Sequence, residues 1–176
     1  AGNLIEYNPE KAKGLLEEGL KEEGMTIQDF NNANIVLLYN TSESHKKIAQ
    51  AAQEMWRTNL GVEIGLENVE FQVKLDREQS GDYDISRAGW IGDFMDPMTM
   101  IELWWSDSAF NDAKYNNPKY DKLLLEAKTT MDQKVRMGNF REAEKMLMED
   151  MPVIPVYFYT QPYVQKSNVE GIVKVP

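Results

Sequence analysis

Two carboxylates three residues apart, Asp93 and Asp96, stand in the run Ser86-Arg87-Ala88-Gly89-Trp90-Ile91-Gly92-Asp93-Phe94-Met95-Asp96-Pro97. A carboxylate held at a strand end can grip a cation through charge-assisted hydrogen bonds. Glycines such as Gly92 let foreign backbone come close, and Trp90 offers a flat wall with a polar edge. Asp96, just before Pro97, is an ordinary turn opener. Asp93 lies between a glycine and an aromatic residue, just past a tryptophan, and is the stronger binding candidate. Arg87 admits two readings, an ion pair with a neighbour such as Asp84 or a contact to a ligand. His45 falls near a helix start, where an imidazole is ordinarily solvated but an anion can also be held.

Little in the chain points to catalysis. It has no cysteine, which removes disulfides, thiolate zinc sites and a cysteine nucleophile. His45 is its one imidazole and no Gly-x-Ser-x-Gly elbow accompanies it, so a Ser-His-Asp triad has no support. Asp93 and Asp96, with Glu102 nearby, are open to reading as hard-metal ligands or as a glycosidase pair, but neither spacing is diagnostic. No EF-hand loop, H-E-x-x-H or phosphate-binding G-x-x-x-x-G-K-[ST] occurs. Nineteen basic against 29 acidic residues give a net charge of −10 with no basic stripe, which argues against nucleic acid or anionic membrane as partner. The longest apolar runs, Ile35 to Tyr39 and Val153 to Tyr159, are too short to span a bilayer. The N-terminus is not signal-like, although Ala1 is compatible with a start after a removed segment.

The elements that must position these residues read as α/β, in a chain of 176 residues without repeat or linker, one domain long. Asn8-Pro9 starts a surface helix that ends near Gly24, with Ala12, Leu15, Leu16 and Leu20 on its inner face. Ile35 to Tyr39, apolar on both faces, reads as a central strand covered on both sides. Asn40-Thr41-Ser42 closes it and caps a helix carrying Ile48, Ala52, Met55 and Trp56, with Gly61 as its left-handed stop. Val62, Ile64 and Leu66, then Val69, Phe71 and Val73, alternate as a strand from Val62 to Phe71. Together these predict a β-α-β unit with parallel strands and a right-handed crossover. A short helix from Leu75 to Gln79 stops at Gly81, and a strand from Tyr83 to Ser86, extending toward Gly89, delivers the candidate loop.

Beyond Pro97, the residues Met98, Ile101, Leu103, Trp104 and Trp105 read as a short helix packed inward, with both tryptophans in the core. Asn117-Pro118 starts another helix with Tyr120, Leu123, Leu124 and Ala127 inside, and Asp132 to Met148 forms a longer one. Its methionines read as gap-fillers rather than ligands. Pro152 to Tyr159 reads as a strand, which Pro155 restricts to an edge or bulge. Gln161-Pro162 turns the chain, and the apolar end Gly171 to Pro176 suggests a chain that was cut.

Several of these segments together resemble one family. They are Asn40 to Ala49, Ser80 to Trp90, the Asp93-x-x-Asp96-Pro97 that follows, Pro152 to Tyr157, and the helix start Tyr7-Asn8-Pro9-Glu10-Lys11-Ala12. In order and over nearly the whole chain, they resemble the oligopeptide-binding proteins of bacterial ABC importers, whose complete members are much longer. The resemblance implies a mixed sheet with flanking helices, forming one lobe of a two-lobe periplasmic-binding-protein (type II) fold. Residues 1–176 would be a single domain excised from that longer receptor, with the second lobe missing. It further implies a non-enzymatic, cofactor-free and metal-free receptor, periplasmic or lipid-anchored outside the cell membrane, that passes an oligopeptide to an ABC permease.

By the same resemblance Asp93 takes the peptide α-ammonium, and Arg87 sets the charge balance and the carboxylate end of short peptides. His45 meets the carboxylate end of longer ones, and Trp90 walls the cleft. Where many relatives have Glu-Trp-Lys, this chain has Glu70-Phe71-Gln72, so Phe71 gives a smaller aromatic wall. Relatives within the wider superfamily that carry nickel, haem or sugars share the fold, and a carboxylate-based hydrolase is the enzymatic alternative.

Overall fold

The computed structural model of the chain describes residues 4–160 and 162–172. Asn8 caps the first helix, α1 (Pro9–Glu22), by accepting the Lys11 amide at 3.0 Å, and Pro9 occupies the first turn. Thr26 and Asp29 form a reciprocal capping box on α2 (Ile27–Asn32), which satisfies two amide donors that a helix start leaves open. A three-stranded sheet follows in the order β2-β1-β3, built from β1 (Val36–Asn40), β2 (Gly65–Val69) and β3 (Ile85–Ser86). The helices α3 (Glu43–Leu60) and α4 (Phe71–Ser80) are the crossovers between these strands. β1 is central, and Leu37, Leu38 and Tyr39 are all buried, as its apolarity on both faces requires.

Every strand pairing among the described residues is parallel, with Leu37 opposite Leu66 and Leu38 opposite Ser86. The expected mixed sheet is therefore a small parallel one over this span. Its amino-terminal rim is tied by side chains. Asp84 accepts the Val36 amide at 3.0 Å, and Asn31 accepts the Glu63 amide at 2.9 Å while donating to the Gly61 carbonyl at 3.1 Å.

Two elements depart from expectation near the sheet. The alternating run from Val62 to Phe71 is strand only over Gly65–Val69, and Phe71 and Val73 lie on α4. The chain has to pass from β2 at one side of β1 to β3 at the other, and parallel strands need a long crossover, so the helix begins as soon as β2 ends. Helical pairs four apart, Gln72 with Asp76 and Lys74 with Glu78, hold that turn. The strand expected from Tyr83 toward Gly89 is ordered as strand only over Ile85–Ser86.

One face of the sheet packs Leu37, Tyr39, Val62 and Ile64 against Ala49, with Trp56, Leu16 and Phe30 closing over them. A second core joins α5 (Met98–Ile101), α6 (Pro118–Thr129) and α7 (Gln133–Asp150) around Tyr120, Leu124, Phe140, Ala143 and Leu147. Trp104 and Trp105 pack against it, as expected. The Tyr120 hydroxyl, fully buried, donates to the Ile101 carbonyl at 2.5 Å and pins α5 to α6.

Pro152 to Tyr159 forms no strand. Pro152 and Pro155 supply no ladder donors, and no backbone ladder joins the segment to a strand of the described residues. It runs irregularly with Ile154, Val156 and Phe158 exposed. Gln161, Ala1 and the residues from Val173 to Pro176 lie outside the described residues.

Candidate ligand-binding site

In a parallel sheet all strands end on one rim, and that rim is where this fold places its chemistry. β1 ends at Asn40, and two residues later Ser42 caps α3 by accepting the His45 amide at 3.5 Å. His45 Nδ1 meets Asn40 Oδ1 at 2.8 Å, so the imidazole is fixed by the residue that closes the strand. With the amide oxygen as acceptor, Nδ1 carries the proton and Nε2 is left as an acceptor. β2 ends beside it, Val69 opposite Asn40, and Phe71 opens α4 with its ring half-exposed. β3 ends at Ser86, after which the Arg87 amide donates to Leu38 at 2.8 Å, extending the pairing by one step.

His45, Phe71 and Arg87 thus come from three successive strand ends of one rim. Burial, then the positive charges of Arg87 and Lys74, hold the His45 pKa below its ordinary value. Arg87 does not pair with Asp84, whose carboxylate is taken by the Val36 amide. Its guanidinium instead donates to the hydroxyls of Tyr157, at 3.1 Å, and Tyr159. Those two rings meet edge to face at 5.2 Å. A Cβ on Gly89 would lie 2.7 Å from the Tyr159 hydroxyl, so the bare backbone there lets the tyrosine settle over the strand exit.

Sequence reasoning passed over Tyr157 and Tyr159 because it placed them in a strand. It also passed over Lys74 and Glu78, paired at 2.5 Å under the sheet and both almost fully buried. The spacing of four is visible in the sequence, but burial is not. Ser86 donates to the same Glu78 carboxylate at 2.6 Å, so α4 is tied to the strand that delivers the loop.

The loop itself is a separate arrangement. Trp90 is half-buried with its ring edge-on to Phe110 at 5.0 Å, and its indole Nε1 is buried without an acceptor among the described residues. Asp93 is exposed, and among the described residues its carboxylate has neither hydrogen bond nor ion pair. Its amide donates to Thr99 Oγ1 at 2.9 Å. Gly92 stands against Thr99, where an added Cβ would come 2.9 Å from Thr99 Cγ2.

Asp96 is more than a turn opener. It accepts the Met98 amide at 2.9 Å and receives a two-pronged hydrogen bond from Arg136 of α7 at 2.7 and 2.8 Å. That guanidinium holds the Asp96 carboxyl below the usual carboxylate range. Among the described residues no hydrogen bond or ion pair joins Asp93 to the His45, Phe71 and Arg87 rim. No group of three or more His, Cys, Asp or Glu suited to a metal occurs among them either. A groove of about 640 Å³ lies elsewhere, between α1 and the ends of α2 and α3, lined by Leu16, Leu20, Met25 and Leu60.

A family model for the bacterial extracellular solute-binding proteins, family 5 (middle region), matches residues 1–112. The chain belongs to this family of solute-binding proteins. It is 44% identical over 173 residues to the oligopeptide-binding protein OppA of Bacillus subtilis, covering 98% of this chain and 32% of that protein. It is 38% identical to the periplasmic oligopeptide-binding protein OppA of Salmonella typhimurium, over 92% of this chain and 29% of that one.

Among solved structures, the unliganded open form of the murein tripeptide-binding protein MppA matches with a TM-score of 0.78 at 37% identity, over 86% of this chain and 29% of that chain. Haemophilus influenzae OppA in complex with the peptide RPPGFSPFR matches at 0.75 and 35% identity, over 81% and 28%. The fold is accordingly that of the type II binding proteins, and the chain spans about a third of the length of the relatives it matches.

Proposed function

We propose that this chain is the ligand-binding lobe of a longer two-lobe receptor, the extracytoplasmic substrate-binding component of a peptide ABC importer. It captures oligopeptides by their main chain and charged ends and releases them unaltered to the permease. Asp93 carries this reading: its unpaired carboxylate sits on a braced loop after a strand of the sheet. An ammonium taken out of water needs such a partner, because desolvation costs several kcal/mol that only a carboxylate and further hydrogen bonds offset. The peptide in the Haemophilus influenzae relative supports the same ligand class.

His45 and Arg87 on the rim would take the opposite end of the ligand, with Phe71 and Trp90 as walls and Gly92 leaving room for backbone. A single imidazole and carboxylates in no catalytic pairing support release without turnover. No helix of the described residues is long and apolar enough to cross a membrane. The receptor would reside in the periplasm or be held by a lipid at the outer face of the cell membrane.

The test is calorimetry on the full-length receptor with a free-amino peptide and its N-acetylated twin. The free-amino form should bind tighter, and Asp93→Ala should cost that peptide about 3–5 kcal/mol, the usual penalty for stranding a buried charge, and more than Trp90→Phe. Equal binding of both peptides by the wild type would remove Asp93 as the ammonium partner. Product release from peptides or glycosides would replace the receptor with a hydrolase.

A further inference from the structure

Asp93 presents its carboxylate from a loop, and loops hold geometry poorly unless something rigid grips them. Three contacts grip this one, and all converge on the turn that follows Asp93. The Asp93 amide is bound by Thr99 Oγ1 at 2.9 Å, and Thr99 is buried in the first turn of α5. Gly92 makes that contact possible, because a side chain there would meet the Thr99 methyl group. Asp96 accepts the Met98 amide and is itself held by both terminal nitrogens of Arg136.

Arg136 has no freedom of its own. Its Nε donates to the Ala127 carbonyl on α6 at 3.2 Å, and its guanidinium lies 4.6 Å from the centre of the Phe140 ring. Phe140 belongs to the second core. One guanidinium thus connects the loop to α6 and α7, 40 residues along the chain, through planar two-pronged geometry that a lysine cannot reproduce.

We propose that Arg136 and Asp96 are positioning residues of the ligand site: they clamp the loop onto α7 so that the Asp93 carboxylate is held where a peptide ammonium arrives. The proposal rests on the reading of Asp93 given above. A mere structural brace would support the fold but leave the preference for a charged amino end untouched, whereas a positioning clamp sets that preference.

The experiment measures, in the full-length receptor, the ratio of affinities for a free-amino peptide and its N-acetylated twin. It uses wild type, Asp96→Asn, Arg136→Met, Arg136→Lys and the double variant Asp96→Asn with Arg136→Met. Asp96→Asn keeps the side-chain shape and the cap on Met98, so it reports on the clamp even where Arg136→Met folds poorly. The ratio should fall by roughly tenfold in both single variants, as a charge partner displaced by part of an ångström predicts. It should fall no further in the double variant, and lysine should not restore it.

Single variants that keep the wild-type ratio, even with a lowered melting temperature, would overturn the clamp while leaving Asp93 in its role. A double variant whose loss is the sum of the singles would overturn it as well, since the two residues would then act separately. A wild type without any ratio would overturn both proposals together.

Discussion

His45 shows how much one residue's surroundings decide. Its ring is half-buried, bound to Asn40 and flanked by two cations, and its pKa is lowered from about 6.5 by burial first and by Arg87 and Lys74 after it. A lowered folded pKa means that the unfolded chain binds the proton more readily. This contribution to stability is therefore complete above pH 6.5 and is lost as pH falls from there through the folded pKa. We expect wild type to lose more thermal stability between pH 7.5 and pH 5 than His45→Gln does, measured as the difference in melting-temperature shift. Equal shifts would mean that the ring is free to protonate in the fold. The residue types of the site were legible in the sequence, but their partners were not. Arg87 lies beside Asp84 in the chain, yet its guanidinium reaches tyrosines some 70 positions away, while Asp84 caps the start of β1.

At the level of elements, caps and periodicities translated well. Asn8-Pro9 and Asn117-Pro118 start α1 and α6 as written, and Gly61 and Gly81 end α3 and α4 in the left-handed conformation. What failed was local alternation. Val69, Phe71 and Val73 alternate as a strand would, yet the topology demands a crossover there, and tertiary arrangement overrode the local pattern. Pro152 to Tyr159 failed for want of a partner, since a strand is a property of two segments.

Two links join the helices of the second core. Asn117 caps α6 and donates to Asp150 at the end of α7 at 3.1 Å, beside the Tyr115 hydroxyl, whose pKa is pushed up to about 12 by burial and by Asp150. Asn117→Ala should cost about 1–2 kcal/mol, as lost caps do. Tyr120→Phe should cost about 1–3 kcal/mol by leaving the Ile101 carbonyl without its donor. Urea unfolding of each variant measures both, and a neutral Tyr120→Phe would mean that water reaches that carbonyl.

For the molecule as a whole, a chain of this length can bury roughly 70% of its unfolded surface, and two cores are in place, so residues 1–176 alone should fold. They should bind peptide weakly or not measurably. On the proposed two-lobe reading, half a cleft would leave the ligand's charged ends in water, where an ion pair is worth about 0–1 kcal/mol. Phe71 is more than half exposed, Phe158 and Val164 almost wholly so, and these should make the isolated lobe self-associate. Fluorescence titration of its four tryptophans with a mixed peptide library, alongside sedimentation, checks both expectations. Sub-micromolar binding by the lobe alone would show that the second lobe is unnecessary. The parallel sheet has one more consequence. Asn31 and Asp84 secure the rim where the strands begin, while His45, Phe71 and Arg87 stand on the rim where they end. On the proposed reading of the second rim, natural variation would be sorted by geography: drift at the first rim would register as tolerance to heat, drift at the second as a change of diet, with the fold left as it is.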